Sequence, residues 1–276
     1  MVFRMSSRFA RSRCVLASVW LSAIPALLSA QTDYYNTDAG RPITVEDAYA
    51  TERYAFELQL APVHLERSRG GRYSWGIEPE IAYGFLPRTH IEIGLPIAFI
   101  DGAAGQRRSG IAGLDVSLLH SLNAETSIPA LAIAADVLAP VGSLGPDKAY
   151  ASAKGIITKT LRVARFHLNG RYTFGSEPGA ASAGASEVSR WLGGLAVDKT
   201  FPLRAMLITA EVFARQPIES AEDVDWNAGA GIRYQLSPQF ALDGGLGRRL
   251  TGADQAWFVT FGLARAFSVR SVFPVR

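Results

Sequence analysis

Two alternating stretches between Arg72 and Phe99 give the clearest pattern of hydrophobic and polar positions in this sequence. From Tyr73 to Phe85 the odd positions are apolar, and the even positions hold small or polar residues, including two glutamates. After the turn Leu86-Pro87-Arg88-Thr89 the alternation resumes. Because successive side chains of a β-strand point to opposite faces, the pattern predicts a hairpin with one apolar face. That face requires an apolar neighbour, either a second sheet, as in a sandwich, or lipid, as in an outer-membrane barrel.

The rest of the chain repeats this alternation from Arg53 to Phe267 and predicts about twelve strands. Each predicted strand has roughly ten residues, which is the length that a tilted strand needs to cross the hydrocarbon layer. Aromatic residues stand near many strand ends on the apolar face, where the interfacial girdles of a membrane barrel would be. These features favour lipid as the neighbour of the apolar face.

Short and long connections take turns between the predicted strands. Arg162–Ala164 and Ser237–Gln239 are tight turns, whereas Pro140–Ser152 and Ser176–Ser189 are longer loops. A bacterial outer-membrane barrel has short periplasmic turns and longer outer loops, and a soluble sandwich does not require this asymmetry. An even strand number also leaves both ends of the barrel on the periplasmic side. We therefore predict an all-β fold, a transmembrane antiparallel β-barrel of about twelve strands in the outer membrane of a Gram-negative bacterium.

Residues 1–30 have the composition of a cleaved secretory signal peptide. Four arginines precede an apolar run from Cys14 to Leu28, and small residues follow at Ser29 and Ala30. The whole chain has 28 basic and 25 acidic residues, so loss of those four arginines leaves 24 basic residues and a net charge of about −1. The high pI therefore gives no indication of nucleic-acid binding. The only cysteine is also lost, which excludes disulfides, thiol catalysis and cysteine metal sites.

The other predicted boundaries follow from the same patterns. Residues 31–52 are polar and rich in turn residues, and we interpret them either as a periplasmic N-terminal arm or plug in the barrel mouth or as a disordered lead-in. Residues 53–267 form the predicted barrel, and residues 268–276 form a C-terminal tail.

Many charged residues occupy the polar face of the predicted strands and are the candidate lumen-lining groups. The acidic candidates are Glu57, Glu78, Glu80, Glu92, Asp115, Asp136, Asp198, Glu211 and Asp243, and the basic candidates are Arg165, Arg171, Arg233 and Arg249. Acids dominate the early strands and bases the middle and late strands, so closure of the sheet would bring opposite charges together across the lumen. We hypothesise a salt-bridged, water-filled interior that lines a narrow pathway or plugs it. The alternative is a small barrel whose polar core is purely structural.

The patterns for catalysis and for metal binding are weaker. Glu78 and Glu80 share a strand face, an arrangement that would suit acid–base catalysis or the binding of a cation, but such carboxylates are more often paired with lumen arginines. The four histidines are scattered, without a close pair at metal-ligand spacing. His120 and Ser121 are adjacent and therefore point to opposite faces, which argues against a hydrolase site built on them. We predict no enzyme, no metal site and no cofactor.

Several motifs make the sequence similar to a known family. They are Gly40-Arg41-Pro42, Glu46-Asp47-Ala48-Tyr49, Glu78-Pro79-Glu80, Ile93-Gly94-Leu95-Pro96 and, near the end, Ala241-Leu242-Asp243-Gly244-Gly245-Leu246-Gly247. With these motifs the chain resembles the outer-membrane proteins named for the meta-pathway of phenol degradation, which are often labelled transporters. The resemblance implies an outer-membrane barrel that passes small solutes, including aromatic or hydrophobic compounds. It supplies no catalytic residues.

The expected function is thus an outer-membrane channel or transporter for small solutes. A lipid-modifying barrel enzyme and a structural barrel without transport remain as alternatives. The expected partners are outer-membrane lipid, a small-molecule solute and the barrel assembly machinery. Outer-membrane barrels usually end on an aromatic residue that this machinery reads, whereas here Phe267 is followed by Ser268 to Arg276.

Overall fold

A computed structural model describes residues 37–67, 73–101, 107–177, 188–218, 223–251 and 255–268, and the regular structure within these ranges is entirely β. The predicted signal peptide (residues 1–30), the start of the predicted arm (31–36) and the tail after Ser268 lie outside the described residues. In the described part, no helix has the length and apolarity that a membrane crossing needs.

One antiparallel sheet contains all the strand segments of the described residues. They are β1 (Ala55–Arg67), β2 (Tyr73–Ile77), β3 (Glu80–Leu86), β4 (Thr89–Gly94), β5 (Ile97–Asp101), β6 (Arg107–Ile111), β7 (Leu114–Ser121), β8 (Ala130–Ala139), β9 (Tyr150–Thr160), β10 (Arg165–Thr173), β11 (Ser189–Thr200), β12 (Met206–Pro217), β13 (Asp225–Ser237), β14 (Phe240–Arg249) and β15 (Trp257–Ser268). The pairs β2 with β3, β4 with β5, and β6 with β7 each continue one wall strand across a short interruption, so the wall has 12 strands. Because β15 pairs with β1 as well as with β14, the sheet closes into a barrel. The predicted fold class is confirmed.

The three interruptions fall at proline or glycine. Pro79 follows β2, Pro96 follows β4, and Gly113, with a φ of +140°, follows β6. Proline has no backbone N–H for the ladder, and a positive φ leaves the extended conformation, so the ladder breaks at these positions. The sequence predicts continuous strands there, because the alternation of hydrophobic side chains carries no information about a missing backbone N–H donor.

The outer surface of the barrel is apolar, and exposure alternates along the strands as the pattern predicts. Along β8, for example, Ala130, Ala132 and Ala134 are buried in the lumen face, whereas Ile133 is 52% exposed on the outer face. Trp257 and Phe261 are each 54% exposed. Closure leaves no second sheet to cover these residues, so the sandwich alternative is wrong and lipid covers the hairpin of residues 73–101.

The two ends of the barrel differ in the length of their connections. At one end the turns are short, with residues 87–88 between β3 and β4 and 238–239 between β13 and β14. At the other end, the connections are longer in sequence, with residues 140–149 between β8 and β9 and 174–188 between β10 and β11. The closing pair Ala55 and Ser268 lies at the short-turn end, which is therefore the periplasmic end. The turn between β7 and β8 (122–129) is wider, and the side chain of Asn123 spans it by bonds to Pro129 and Leu131.

Candidate functional site

The residues before β1 run through the barrel interior. We call residues 37–52 the lumen segment. Val45 and Ala48 at its centre have no exposed surface, and Arg41 is 1% exposed. A chain that is buried this deeply inside a closed barrel lies across the path that a solute would take.

Hydrogen bonds fasten the lumen segment to the wall, one strand after another. At the start of the segment, the Pro42 carbonyl accepts a hydrogen bond from Thr260 on β15, and the Thr44 and Val45 N–H groups donate to Glu211 on β12. In the middle, the Glu46 N–H donates to Asn169 on β10, and the Ala48 N–H donates to Thr158 on β9. Near the end, the Ala50 N–H donates to Ser121 on β7, and the Thr51 N–H donates to His90 on β4. Irregular backbone without a ladder is stable in a barrel when wall side chains satisfy its polar groups in this way. The segment therefore follows the wall from β15 round to β4.

A buried charge network holds the first turn of the lumen segment. Arg41 contacts Asp243 on β14 at 2.8 Å and Asp38 at 2.6 Å. Arg233 on β13 binds the same two carboxylates at 2.8 and 2.9 Å. Burial would raise the pKa of Asp38, but the guanidinium groups of Arg233 and Arg41 hold the pKa below its ordinary value. Two arginines and two carboxylates thus neutralise one another and join the segment to two wall strands.

A second buried cluster lies at the periplasmic end of the segment. Arg165 binds Asp198 at 2.8 Å, and His167 Nε2 lies 2.8 Å from the same carboxylate. His167 Nδ1 lies 3.0 Å from the Thr158 hydroxyl. This order of hydroxyl, imidazole and carboxylate resembles a hydrolase triad, but Thr158 is fully buried and accepts the Ala48 N–H. A nucleophile needs access to substrate, so we interpret the cluster as an anchor for the segment.

Asp47 stabilises the lumen segment by hydrogen bonds to its backbone. Its carboxylate accepts the N–H groups of Thr37 and Tyr49 at 2.9 and 3.0 Å. Burial raises the pKa of Asp47 to about 8, although Arg165, 3.7 Å away, and these two donors oppose the rise.

Four of the predicted lumen residues form an acidic wall, namely Glu78, Glu80, Glu92 and Asp115. They line a cavity of about 260 Å³ together with Lys154 and Arg171. The carboxyl groups of Glu80 and Glu92 lie within hydrogen-bonding range of each other. Within the described ranges, none of the four has an arginine or lysine within 4.0 Å. Lys154 is instead engaged by Glu46 at 2.6 Å.

The remaining predicted residues pair mainly with neighbours along the wall. Arg165 and Asp198 face each other on β10 and β11, and Arg233 and Asp243 face each other on β13 and β14. The other contacts are Arg249 with Glu66 at 3.4 Å and with Asp225 at 3.7 Å, Glu57 with Arg41 at 3.7 Å, Lys154 with Asp136 at 3.9 Å, and Glu211 with the lumen segment. Directly opposed residues on adjacent strands are closer than residues across the lumen, which is why the pairs form between neighbours.

Further polar residues of the site have a role that the sequence analysis did not predict. They are Gln59, His90, Ser121, Thr158, His167, Asn169 and Thr260, and each binds the lumen segment or its anchors. The only sequence feature that could have indicated these residues is their position on the inward face of the strands. Neutral side chains on a polar face carry no information about a partner, so only the structure assigns them this role.

Three adjoining cavities lie in the lumen beside the lumen segment. Their volumes are about 260, 290 and 180 Å³, and Arg171 lines all three. Carboxylates line the first, and apolar residues such as Ile77, Ile97 and Tyr150 line much of the second. We call this space the vestibule. No three His, Cys, Asp or Glu side chains of the described residues are grouped so that they could hold a metal ion.

Two wall glycines make room for the lumen segment. A Cβ atom at Gly231 would lie 2.6 Å from Pro42 Cβ, and a Cβ at Gly245 would meet the Pro42 carbonyl. Any larger residue at these positions would push the segment away from the wall.

We therefore expect Gly231→Ala to loosen the lumen segment, because overpacking a tight contact costs about 1–3 kcal/mol. The predicted measurement is a higher frequency of open events in planar-bilayer recordings. Gly170→Ala is the matched control, since a Cβ there meets nothing within 4 Å. Identical recordings from both variants would contradict the steric role of Gly231.

Comparison with known proteins connects this architecture with outer-membrane channels. An outer-membrane channel from Pseudomonas putida F1 is similar with a TM-score of 0.55 and 14% identity, over 80% of this chain and 98% of that chain. The KdgM porin in complex with disordered oligogalacturonate has a TM-score of 0.52 and 10% identity, over 76% and 98% of the two chains. For the NanC porin the values are 0.51 and 7%, over 75% and 98%. These likenesses concern the fold, and together with the apolar outer wall they assign the protein to the bacterial outer membrane.

At the sequence level, no curated protein matches this chain. Residues 71–267 match the family model described as "Putative MetA-pathway of phenol degradation". The match covers nearly the whole barrel and confirms the resemblance that the motifs indicate.

Proposed function

Because this chain belongs to the MetA-pathway phenol-degradation family, we propose that it is an outer-membrane channel for small solutes, aromatic or hydrophobic compounds among them. The observation that carries the proposal is the vestibule, a lumen space that is bordered by the lumen segment. Its cavities of about 180 to 290 Å³ lie at or below the small end of ligand pockets, which favours small solutes over oligomers.

The lining of the vestibule supports a solute with both apolar and polar parts. Ile77, Ile97 and Tyr150 offer apolar contacts on one side, and Arg171 is a central cation. In the described part of the chain Arg171 has no ion-pair partner, so its charge is available to a solute. The predicted lumen residues Glu78, Glu80, Glu92 and Asp115 would then set the charge preference of the pathway.

Liposome swelling tests this function directly. We expect vesicles that contain the protein to swell faster in small aromatic acids than in sugars of similar mass. Arg171→Ala and Glu80→Ala should alter conductance in planar bilayers, because both side chains line the same cavity. Swelling equal to that of protein-free vesicles in every solute, together with unchanged conductance in both variants, would leave a structural barrel as the better account.

The enzymatic alternative has its own test. The similar structures are channels and porins, and the buried Thr158 offers no accessible nucleophile. We expect no lipase or deacylase activity in detergent. Activity that disappears in Thr158→Val would establish catalysis instead of transport.

We further propose that the barrel assembly machinery reads the last strand at Phe267. This residue stacks on Phe56 of β1, with ring centroids 5.4 Å apart, so it sits at the seam that closes the barrel. Phe267→Ala should reduce the folded, heat-modifiable form on gels more than deletion of Val275 and Arg276 does. The reverse order would assign the signal to the tail.

A further inference from the structure

A groove at the periplasmic rim is separate from the three cavities of the vestibule. It has a volume of about 450 Å³ and lies between the turn from β9 to β10 and the end of β11. Leu161 and Val163 on that turn are 51% and 64% exposed. Apolar side chains this exposed at the edge of a membrane barrel require a partly apolar neighbour.

Two basic side chains border the groove. Arg162 and Lys199 both line it, and both are exposed. Among the described residues neither has an acidic partner. The nearby carboxylates are already engaged, since Asp198 binds Arg165 and His167, and Glu125 binds Lys159 and Tyr49. The groove therefore has a net positive charge that the protein leaves uncompensated.

An apolar track leads away from the groove along the outer wall. Phe166 opposes Val197, and Leu168 opposes Leu195, on the outward faces of β10 and β11. Leu168 and Leu195 are 50% and 48% exposed. This ladder continues from Lys199 towards the membrane centre, which is the direction that an acyl chain takes from its headgroup.

We propose that the rim groove binds an anionic phospholipid of the periplasmic leaflet, with the phosphate between Arg162 and Lys199 and an acyl chain on the ladder above. Arginine and lysine donate charge-assisted hydrogen bonds to phosphate oxygens. The short-turn end faces the periplasm, so the leaflet at this level supplies phospholipid. The attached apolar track favours a lipid over free phosphate.

Native mass spectrometry of the purified protein tests this site with phosphatidylglycerol and phosphatidylethanolamine of identical acyl chains. We expect wild type to retain phosphatidylglycerol preferentially, and Arg162→Gln and Lys199→Gln each to weaken retention about fivefold, the effect of one basic residue near an anionic lipid surface. Arg67→Gln and Arg107→Gln remove the same charge at the opposite end and should leave retention unchanged. Heat-modifiable mobility on gels verifies that each variant is folded.

Three results would overturn the site. Equal retention of the two lipids by wild type would remove the headgroup preference. Equal loss in the variants at both ends would indicate a non-specific charge effect. Binding of soluble glycerol phosphate as tight as that of phosphatidylglycerol would assign the groove to a free phosphate ester. In contrast, weaker lipid retention by Val163→Ser, with no tight binding of glycerol phosphate, would support a phospholipid as the ligand.

Discussion

Deletion of residues 38–50 should turn the occluded barrel into an open pore with a several-fold higher single-channel conductance. These residues include the fully buried Val45 and Ala48 and bind wall strands from β15 to β7. Their removal would leave polar wall side chains such as Glu211 and Asn169 facing water. A 12-stranded barrel with a hydrated lumen conducts ions, whereas one filled by chain conducts poorly. Planar-bilayer recording measures the change.

A cross-linked variant controls for damage to the barrel. A Cβ at Gly194 would lie 2.6 Å from Val45 Cγ2, so Val45→Cys with Gly194→Cys places two sulfurs within bonding reach. The oxidised variant should show the lowest conductance, and reduction should raise it again. If the deletion conducts no better than wild type while remaining heat-modifiable, the lumen segment does not obstruct the pathway.

Asp243→Ala should destabilise the barrel by about 3–5 kcal/mol, because it leaves buried arginines without their carboxylate. Asp243 accepts from both Arg41 and Arg233 at 2.8 Å and is 3% exposed. Asp38 would remain as their nearest partner, and it belongs to the lumen segment. Urea unfolding of the protein in detergent or vesicles measures the free energy.

Asp101→Ala is the matched control for this loss. Asp101 pairs with Arg107 at 3.2 Å, but the two side chains are 42% and 87% exposed. An exposed pair contributes about 0–1 kcal/mol, since water replaces the lost partner. Similar losses in the two variants would mean that burial of the Asp243 network adds nothing to stability.

The local sequence patterns were sufficient to predict the strands that form the barrel wall and the faces of those strands. The alternation between Tyr73 and Phe99 determines which faces are apolar, because the side-chain period of a strand is two whatever its partner. The same pattern could not show the breaks at Pro79 and Pro96, which depend on backbone hydrogen bonds. The charged positions were identifiable for the same reason as the strands, since they occupy the polar face.

The sequence could not show which residues pair with one another in the lumen. Asp38 and Arg233 are 195 residues apart, and Pro42 and Thr260 are 218 apart, so only closure of the sheet and its register bring them together. Register also decided that Arg165 meets Asp198 on the adjacent strand, while Glu78 and Asp115 have no basic partner among the residues that the structure describes.

By itself, the sequence determined the strands, their faces, the alternation of turns and loops, and the family. Each of these follows from residues that are close in the chain or from recurring motifs. Only the tertiary structure decided that residues 37–52 run through the lumen and which wall side chains bind them. The physical reason is that a polar segment without periodicity takes its conformation from the donors and acceptors around it, and those come from strands far away in the chain.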